Sequence, residues 1–257
     1  MVTWERNIVI KSQTEIDIMR EAGKINALAL QAVREAIQPG VTTGALDKIA
    51  ETVIRDHGAT PAFLGYPGPV PYPGTINACI NEEMVHGIPG KRQLTEGDLV
   101  SIDCGTIHEG YVADSAFSVG VGKVSQQVQH LLDVTEKALE VGINQMLAGN
   151  RVGDISAAIQ KHVEGNNYHV PREYTGHGVG RQMHEGPQVP NYGLAGRGLV
   201  LRSGLTIALE PMVLVGTHHT KVQPDQWTVT SKDGSLTAHF EHTVAVTDGD
   251  PLILTHV

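Results

Sequence analysis

Residues 99–122 read LVSIDCGTIHEGYVADSAFSVGVG, and this stretch decides the fold of the chain. It contains two runs rich in Val, Ile, Tyr and Phe, residue types that are enriched in β-strands, joined by a short turn. The pattern predicts a β-hairpin. Each strand carries one aspartate, Asp103 or Asp114, among mostly apolar residues, although burying even one charge costs free energy.

The register of this hairpin follows from the position of its turn. A two-residue turn at His108 and Glu109 would place Asp103 directly opposite Asp114. Opposed side chains lie only about 4.5–5.5 Å apart, where like charges repel each other. Either one carboxylate then holds a proton or a cation lies between the two. The rest of the chain favours a metal ion.

The composition is that of an ordinary globular chain and excludes several classes of partner. Of its 257 residues 40% are hydrophobic, and 28 acidic against 19 basic residues give a net charge of −9. No run of Lys and Arg exceeds two residues, so we expect neither DNA nor a membrane as a partner. Cys79 and Cys104 do not make a disulfide framework, and charges interrupt residues 1–20 too early for a signal peptide. We therefore expect a reduced, cytoplasmic protein.

The first third of the chain has the pattern of two helices followed by a strand. Residues 12–37 place apolar side chains at the 3–4 spacing of an amphipathic helix. Ser12 precedes Glu15 by three positions, which is the pattern of a capping box. A second helix is predicted at roughly 43–57, and a short strand at Ile76–Ile80.

A weak internal repeat links this region to the second half. Gly40 and Gly44 precede the second helix with the same spacing as Gly149 and Gly153, and each pair follows a long helix, the later one at about residues 125–147. Two helices followed by strands, twice, predict an α+β chain made of two duplicated halves. Coincidental glycine spacing is the alternative.

The second half supplies further side chains that can bind metal. The segment TGHGVGRQMHEGP places His177 and His184 among glycines that let the backbone approach a ligand, and Glu210 and Glu241 each lie in an apolar, strand-like run. An outward-facing surface glutamate is the alternative for either one alone. Four acidic residues and a histidine in such surroundings together favour a metal site.

These motifs resemble those of the methionine aminopeptidases, which are pita-bread metallopeptidases, and in particular their short bacterial type I form. The resemblance runs from the first long helix almost to the C-terminus. The matching segments are NEEMVHGIPG with His86, SIDCGTIHEGYVADSA with Asp103 and Asp114, TGHGVGRQMHEGP with His177 and His184, LEPM with Glu210, and FEHTVAV with Glu241. The metal ligands that it implies are Asp103, Asp114, His177, Glu210 and Glu241.

The resemblance also implies the architecture. The family fold consists of two pseudo-symmetric helix–helix–strand halves around a central antiparallel sheet, which agrees with the repeat. Because no low-complexity linker separates the halves, we expect a single domain at residues 1–257, with halves at roughly 12–122 and 123–250 and a groove between them.

The implied activity is removal of the initiator methionine from nascent polypeptides that have a small second residue. Two divalent ions, Mn, Fe, Co or Zn, would share a bridging hydroxide that attacks the first peptide bond. His184 would donate to the carbonyl oxygen, His86 would contact the scissile amide nitrogen, and Glu210 would also shuttle a proton. The N-terminus of the nascent chain is the implied partner of a monomeric enzyme, and transient contact with the ribosome is compatible with that role.

The substrate pocket matches less closely than the metal site. Phe63 and Met183 stand where relatives often carry Cys and Phe, whereas Tyr66 and Trp227 match the expected pocket wall, with core packing as the alternative. These residues still predict a soft, apolar slot suited to methionine. Asn81 would mark a backbone site for a monovalent cation, with a plain turn asparagine as the alternative.

Two other functions stay open. One is an X-Pro aminopeptidase or prolidase of the same fold, although those relatives usually carry a large N-terminal domain. The other is a non-catalytic binding protein, which the complete set of ligand residues argues against. The remaining histidines, among them His108, His130, His218 and His219, are expected at the surface or in local hydrogen bonds.

Overall fold

The structure, a computed structural model, describes residues 7–257; residues 1–6 of the charged N-terminal segment lie outside this range. The helices are α1 Gln13–Ala36, α2 Thr43–Asp56, α3 Gln126–Ile143 and α4 Val152–Gly165. The strands are β1 Thr60–Pro61, β2 Ile76–Ile80, β3 Glu83–Val85, β4 Leu99–His108, β5 Tyr111–Gly120, β6 Thr175–Gly178, β7 Glu185–Pro190, β8 Thr206–Leu209, β9 Met212–Leu214, β10 Thr220–Val222, β11 Val229–Ser231, β12 Thr237–His239, β13 Glu241–Ala245 and β14 Leu252–Ile253. None of the helices in the described range is long and apolar enough to cross a bilayer.

A nine-stranded sheet forms the centre of the fold. Its main path runs β1-β4-β5-β13-β8-β6-β7, with β2 added beside β4 and β14 beside β13. Every strand pair along this path is antiparallel. The strands of both predicted halves therefore meet in one sheet, and the predicted α+β class is confirmed.

The central hairpin of β4 and β5 has a different register from the predicted one. Its turn is Glu109–Gly110, with φ angles of 48° and 77°, because the favoured two-residue turn needs positive φ at both positions and so favours glycine. Asp103 pairs with Ala116, and Asp114 pairs with Gly105. The predicted direct pairing of the two aspartates is wrong. Because the register differs by two residues, both aspartates still project from the same face, as diagonal neighbours.

Helix α1 covers the other face of this hairpin. It begins as predicted, since the Ser12 hydroxyl accepts from the Glu15 amide and the Glu15 carboxylate accepts from the Ser12 amide. Farther along, the fully buried Asn26 donates to the Cys104 carbonyl at 2.7 Å and to the Ser115 hydroxyl at 2.9 Å. These bonds attach the helix to the residues of β4 and β5 that alternate with the aspartates.

The predicted internal repeat has a structural counterpart. Gly40 and Gly149 both have left-handed backbones, with φ angles of 92° and 96°. At Gly44 and Gly153 a Cβ atom would lie closer than 3.0 Å to a backbone carbonyl oxygen. The two glycine pairs therefore serve the same two purposes before α2 and α4, and coincidence does not explain their spacing. The single-domain boundaries at 12–122 and 123–250 stay a prediction.

Candidate metal and active site

Neighbouring strands bring the predicted acidic ligands to one face of the sheet. Ala116 of β5 pairs with Asp103 on one side and with Glu241 of β13 on the other. The two carboxylates therefore flank a small side chain in one row across three strands. Asp114 lies two residues before Ala116 on the same face of β5, so it joins them as a diagonal neighbour.

His177 reaches this group along the next row of the sheet. It pairs with Ala208, and Ala208 pairs with Thr243. The Thr243 hydroxyl donates to the Asp114 carbonyl at 2.8 Å and accepts from the Asp114 amide at 2.9 Å. These small intervening side chains leave room above the sheet, and His177 Nε2 lies 4.0 Å from Asp114 Oδ2. Glu210, directly after β8, places Oε1 3.5 Å from the same Nε2.

Three of these residues could hold one metal ion. Asp114, His177 and Glu241 each offer a ligand atom, all within 4.8 Å of one another, and all three side chains are buried. His177 Nδ1 donates to the Gly178 carbonyl at 2.9 Å. A carbonyl can only accept, so the lone pair of this imidazole is on Nε2, which faces the carboxylates.

The four acidic side chains of this group make too few hydrogen bonds to balance their negative charges. Burial raises the pKa of Asp103 to about 7, although Asn77 donates to its Oδ2 at 2.7 Å. Burial, and then neighbouring carboxylates, raise the pKa values of Asp114, Glu210 and Glu241 well above their ordinary range. Such shifts express first the cost of removing a charge from water and then, for the last three, repulsion between the carboxylates.

This donor set fits divalent cations. Among the described residues, Asp103 Oδ1, Asp114 Oδ1 and Glu241 Oε1 are buried and have no hydrogen-bond partner. Buried carboxylate oxygens are normally paired or bound to metal. Bound cations would supply both the missing partners and the missing positive charge.

A cavity of about 280 Å³ opens beside the carboxylates. All four predicted pocket residues, Phe63, Tyr66, Met183 and Trp227, line it. Trp227 is fixed by donating from Nε1 to the Val70 carbonyl at 2.8 Å. The wall of this cavity is therefore aromatic and sulfur-bearing, as the sequence predicts.

The two predicted catalytic histidines line the same cavity. The Tyr66 hydroxyl and His184 Nδ1 are 2.6 Å apart, and the rings of His177 and His184 lie 4.4 Å apart. His86 has a positive φ of 59°, a strained conformation for a residue with a side chain. Burial, reinforced by the nearby His184, lowers the pKa of His86 to about 4, so its imidazole is neutral.

A buried ion pair supports the segment that carries these histidines. Lys11 Nζ lies 2.6 Å from Glu185 Oε2, and the two side chains are only 1% and 5% exposed. Glu185 Oε1 also accepts from the Gln182 amide at 3.1 Å. A Cβ on Gly180 would come within 2.6 Å of this carboxylate, so a larger residue there would displace the ion pair. Because Glu185 follows His184 directly, the ion pair fixes the backbone beside that imidazole.

Asn81 is not among the residues that line the cavity. Its side chain donates to Asp98 Oδ1 at 2.9 Å and accepts from the Leu99 amide at 2.9 Å, and its φ is 60°. These contacts are those of the turn asparagine named as the alternative. The monovalent cation stays a prediction.

Sequence reasoning missed His239. It was grouped with the histidines expected at the surface or in local hydrogen bonds, and this is wrong, because it is 2% exposed and lines the cavity. Its Nε2 lies 3.9 Å from Glu210 Oε2 and 3.8 Å from Glu241 Oε2. Burial, and then His86, lower its pKa to about 3. The signal was present in AHFEH, where His239 precedes Glu241 by two positions in extended chain and so shares its face.

Comparison with known proteins identifies the family of the chain. The sequence pattern of metallopeptidase family M24 matches residues 17–248. The methionine aminopeptidase of Clostridium acetobutylicum is 49% identical, covering 96% of this chain and 98% of the relative, and methionine aminopeptidase 1 of Bacillus subtilis is 46% identical over 97% and 100%. The crystal structure of the methionine aminopeptidase from Thermotoga maritima superposes with a TM-score of 0.95 at 43% identity, covering 97% of this chain and all of that one. The predicted family and its pita-bread fold are confirmed: the chain belongs to metallopeptidase family M24, among its methionine aminopeptidases.

Proposed function

We propose that this chain removes the initiator methionine from nascent polypeptides and prefers those with a small second residue. The observation that carries the proposal is the buried group of four carboxylates and His177 at the edge of an apolar cavity. Two named relatives add support. Both are methionine aminopeptidases, and this chain matches them over nearly their whole length. The partner would then be the N-terminus of the nascent chain. The enzyme would act as a monomer in the cytoplasm, and any contact with the ribosome would be transient.

The proposed cofactor is a pair of divalent cations, drawn from Mn, Fe, Co and Zn. Bound metal would supply Lewis acidity and a water molecule of lowered pKa as the nucleophile. Four carboxylates carry a charge that two such cations nearly cancel, and the oxygen-rich set suits these ions better than a thiolate site would. The ligands proposed are Asp103, Asp114, His177, Glu210 and Glu241.

The chain's own residues would hold the substrate and move its protons. His184 lines the cavity with Nδ1 2.6 Å from the Tyr66 hydroxyl, and its imidazole would donate to the carbonyl oxygen of the scissile bond. Neutral His86 would contact the amide nitrogen of that bond. Glu210, which lies beside both His177 and the cavity, would accept a proton from the nucleophile and pass it to the leaving amine.

The apolar end of the cavity would take the methionine side chain. Phe63, Tyr66 and Trp227 offer aromatic rings to a thioether, a contact worth about 0.3–1.5 kcal/mol for each well-placed ring. Met183 adds a flexible wall that can adapt to an unbranched side chain.

Release of free methionine from synthetic peptides tests the proposal. Metal-stripped protein would be incubated with Mn, Fe(II), Co or Zn and either Met-Gly-Met-Met or a Met-Lys peptide. We expect metal-dependent release from the first and little from the second, because a long side chain at the second position would not fit. His184→Gln serves as the control for contaminating peptidases, and it should lose most of the activity.

Three other results would contradict the proposal in different ways. Equal cleavage of both peptides would remove the small-residue preference only. Cleavage of an X-Pro dipeptide without methionine release would identify the prolidase alternative. Metal binding without cleavage of any of these peptides would identify a binding protein on the same fold.

A further inference from the structure

Of the four histidines that line the cavity in the described part of the chain, His239 alone has no role in the proposed function. Its side chain is buried, and among the described residues its Nε2 has no hydrogen-bond partner. The backbone on either side of the ring is well fixed, because the His239 amide donates to the Ser118 hydroxyl at 2.9 Å and that hydroxyl donates to the His239 carbonyl at 2.7 Å. The orphaned nitrogen is therefore not a consequence of a loose segment.

Two carboxylates face this nitrogen at nearly equal distances. Glu210 Oε2 lies 3.9 Å away and Glu241 Oε2 lies 3.8 Å away. Both separations are too long for a hydrogen bond, whose donor and acceptor would lie about 2.7–3.2 Å apart. Two ligand atoms that each lie about 2.1 Å from one ion are instead roughly 3–4 Å apart. Each of the two separations therefore fits a pair of atoms that bind the same cation.

The strand arrangement explains how His239 of β12 reaches the carboxylates of Glu210 and Glu241. His239 ends β12 and pairs with Met212 of β9, two residues after Glu210, and Glu241 begins β13 two residues after His239. The imidazole thus comes from the segment just before β13, within reach of both glutamates. His177 reaches Glu210 through the other oxygen of that carboxylate, at Oε1.

We propose that His239 Nε2 is an additional metal ligand, so that the centre has two imidazole donors, His177 and His239, with Glu210 between them. This inference rests on the proposed metal centre and adds a residue to it. An extra nitrogen donor would move the preference of the site towards Co, Fe and Zn and away from Mn, which favours oxygen ligands.

Counting coordinated imidazoles in the Co(II)-loaded protein tests the proposal. In proton NMR spectra recorded in H₂O, each imidazole bound to Co(II) gives one strongly shifted, exchangeable N–H resonance. We expect two such resonances in the unsubstituted protein and one in the His239→Gln variant. His242→Gln is the matched control, because His242 lies in the next strand, β13, is partly buried and bonds to Thr255 at 2.8 Å. It does not line the cavity, so this variant should keep both resonances.

A loss of Co(II) affinity alone would not decide the matter, because residues that only orient ligands also cost about 10–100-fold when replaced. One shifted resonance in the unsubstituted protein, or two in H239Q, would overturn the proposal. His239 would then lie near the ligands without binding the metal. His239→Asn replaces H239Q if that variant does not fold. Methionine release is scored separately: two resonances without release would overturn the proposed function alone, and release with one resonance would overturn this inference alone.

Discussion

Removing the amine of Lys11 should destabilise the protein far more than removing an exposed lysine. Lys11→Met keeps much of the apolar stem but leaves the Glu185 carboxylate buried without its cation. An uncompensated charge in such surroundings costs about 3–5 kcal/mol. For a chain of this size each kcal/mol corresponds to about 2–4 °C in Tm, so we expect a decrease of roughly 6–20 °C.

The matched control is Lys24→Met. Lys24 also lies 2.6 Å from a carboxylate, that of Glu21, but the two side chains are 42% and 55% exposed. Such surface pairs contribute only about 0–1 kcal/mol. The double variant Lys11→Met/Glu185→Gln separates loss of the pair from loss of packing, because the amide is neutral and its oxygen can still accept from the Gln182 amide. It should recover most of the stability lost in K11M.

Thermal unfolding of the three variants and the unaltered protein, with metal bound and at one pH, gives the comparison. The reasoning would be refuted by K11M and K24M unfolding at the same temperature, or by a double variant no more stable than K11M. Peptide kinetics add a second readout. Because Glu185 adjoins His184, K11M should lower kcat for methionine release more than it raises KM, and the double variant should restore part of it.

Two further predictions concern the site itself. Tyr66→Phe keeps the ring in the pocket but removes the hydroxyl that contacts His184. Losing this bond should cost about 1 kcal/mol, which is roughly a fivefold decrease in kcat with little change in KM. Unchanged steady-state kinetics would contradict the proposed role of His184. In the metal-free chain burial raises the pKa of Asp103 from 3.8 to about 7, so the folded state binds more protons than the unfolded state between these values. The free energy of unfolding without metal should therefore fall as the pH rises from about 4 to 7, by about 1.4 kcal/mol per pH unit for each such group. A Tm in EDTA that is higher at pH 8 than at pH 5 would contradict this. The metal-loaded protein is the control.

Local patterns explain which parts of the fold could be predicted. Helix α1 has a capping box and an apolar stripe within a single stretch of chain, and its start at Ser12 is confirmed. The turn of the central hairpin was misplaced by one residue, because IHEGY offers two adjacent dipeptides and only the second puts glycine where positive φ is needed. The aspartates nevertheless stayed on the predicted face, since a register change of two residues preserves the alternation of a strand.

Long-range pairing explains what could not be predicted. Lys11 and Glu185 are 174 residues apart in the chain, and neither has neighbours that indicate a buried partner. His239 differs from them, because its two-residue spacing to Glu241 was visible in the sequence. Its environment was not, since the carboxylate of Glu210 reaches it only through the pairing of β12 with β9.

The two histidines of the glycine-rich segment would serve two different chemical roles in the proposed function. His177 Nδ1 faces the Gly178 carbonyl, which can only accept a hydrogen bond, so Nε2 keeps its lone pair for a metal ion. His184 Nδ1 faces the Tyr66 hydroxyl, which can donate, so Nε2 can carry a proton towards a substrate oxygen. The division of roles therefore lies in the groups behind the rings. The carbonyl fixes the tautomer of His177, and the phenol permits the opposite tautomer in His184, although the two ring centres are only 4.4 Å apart.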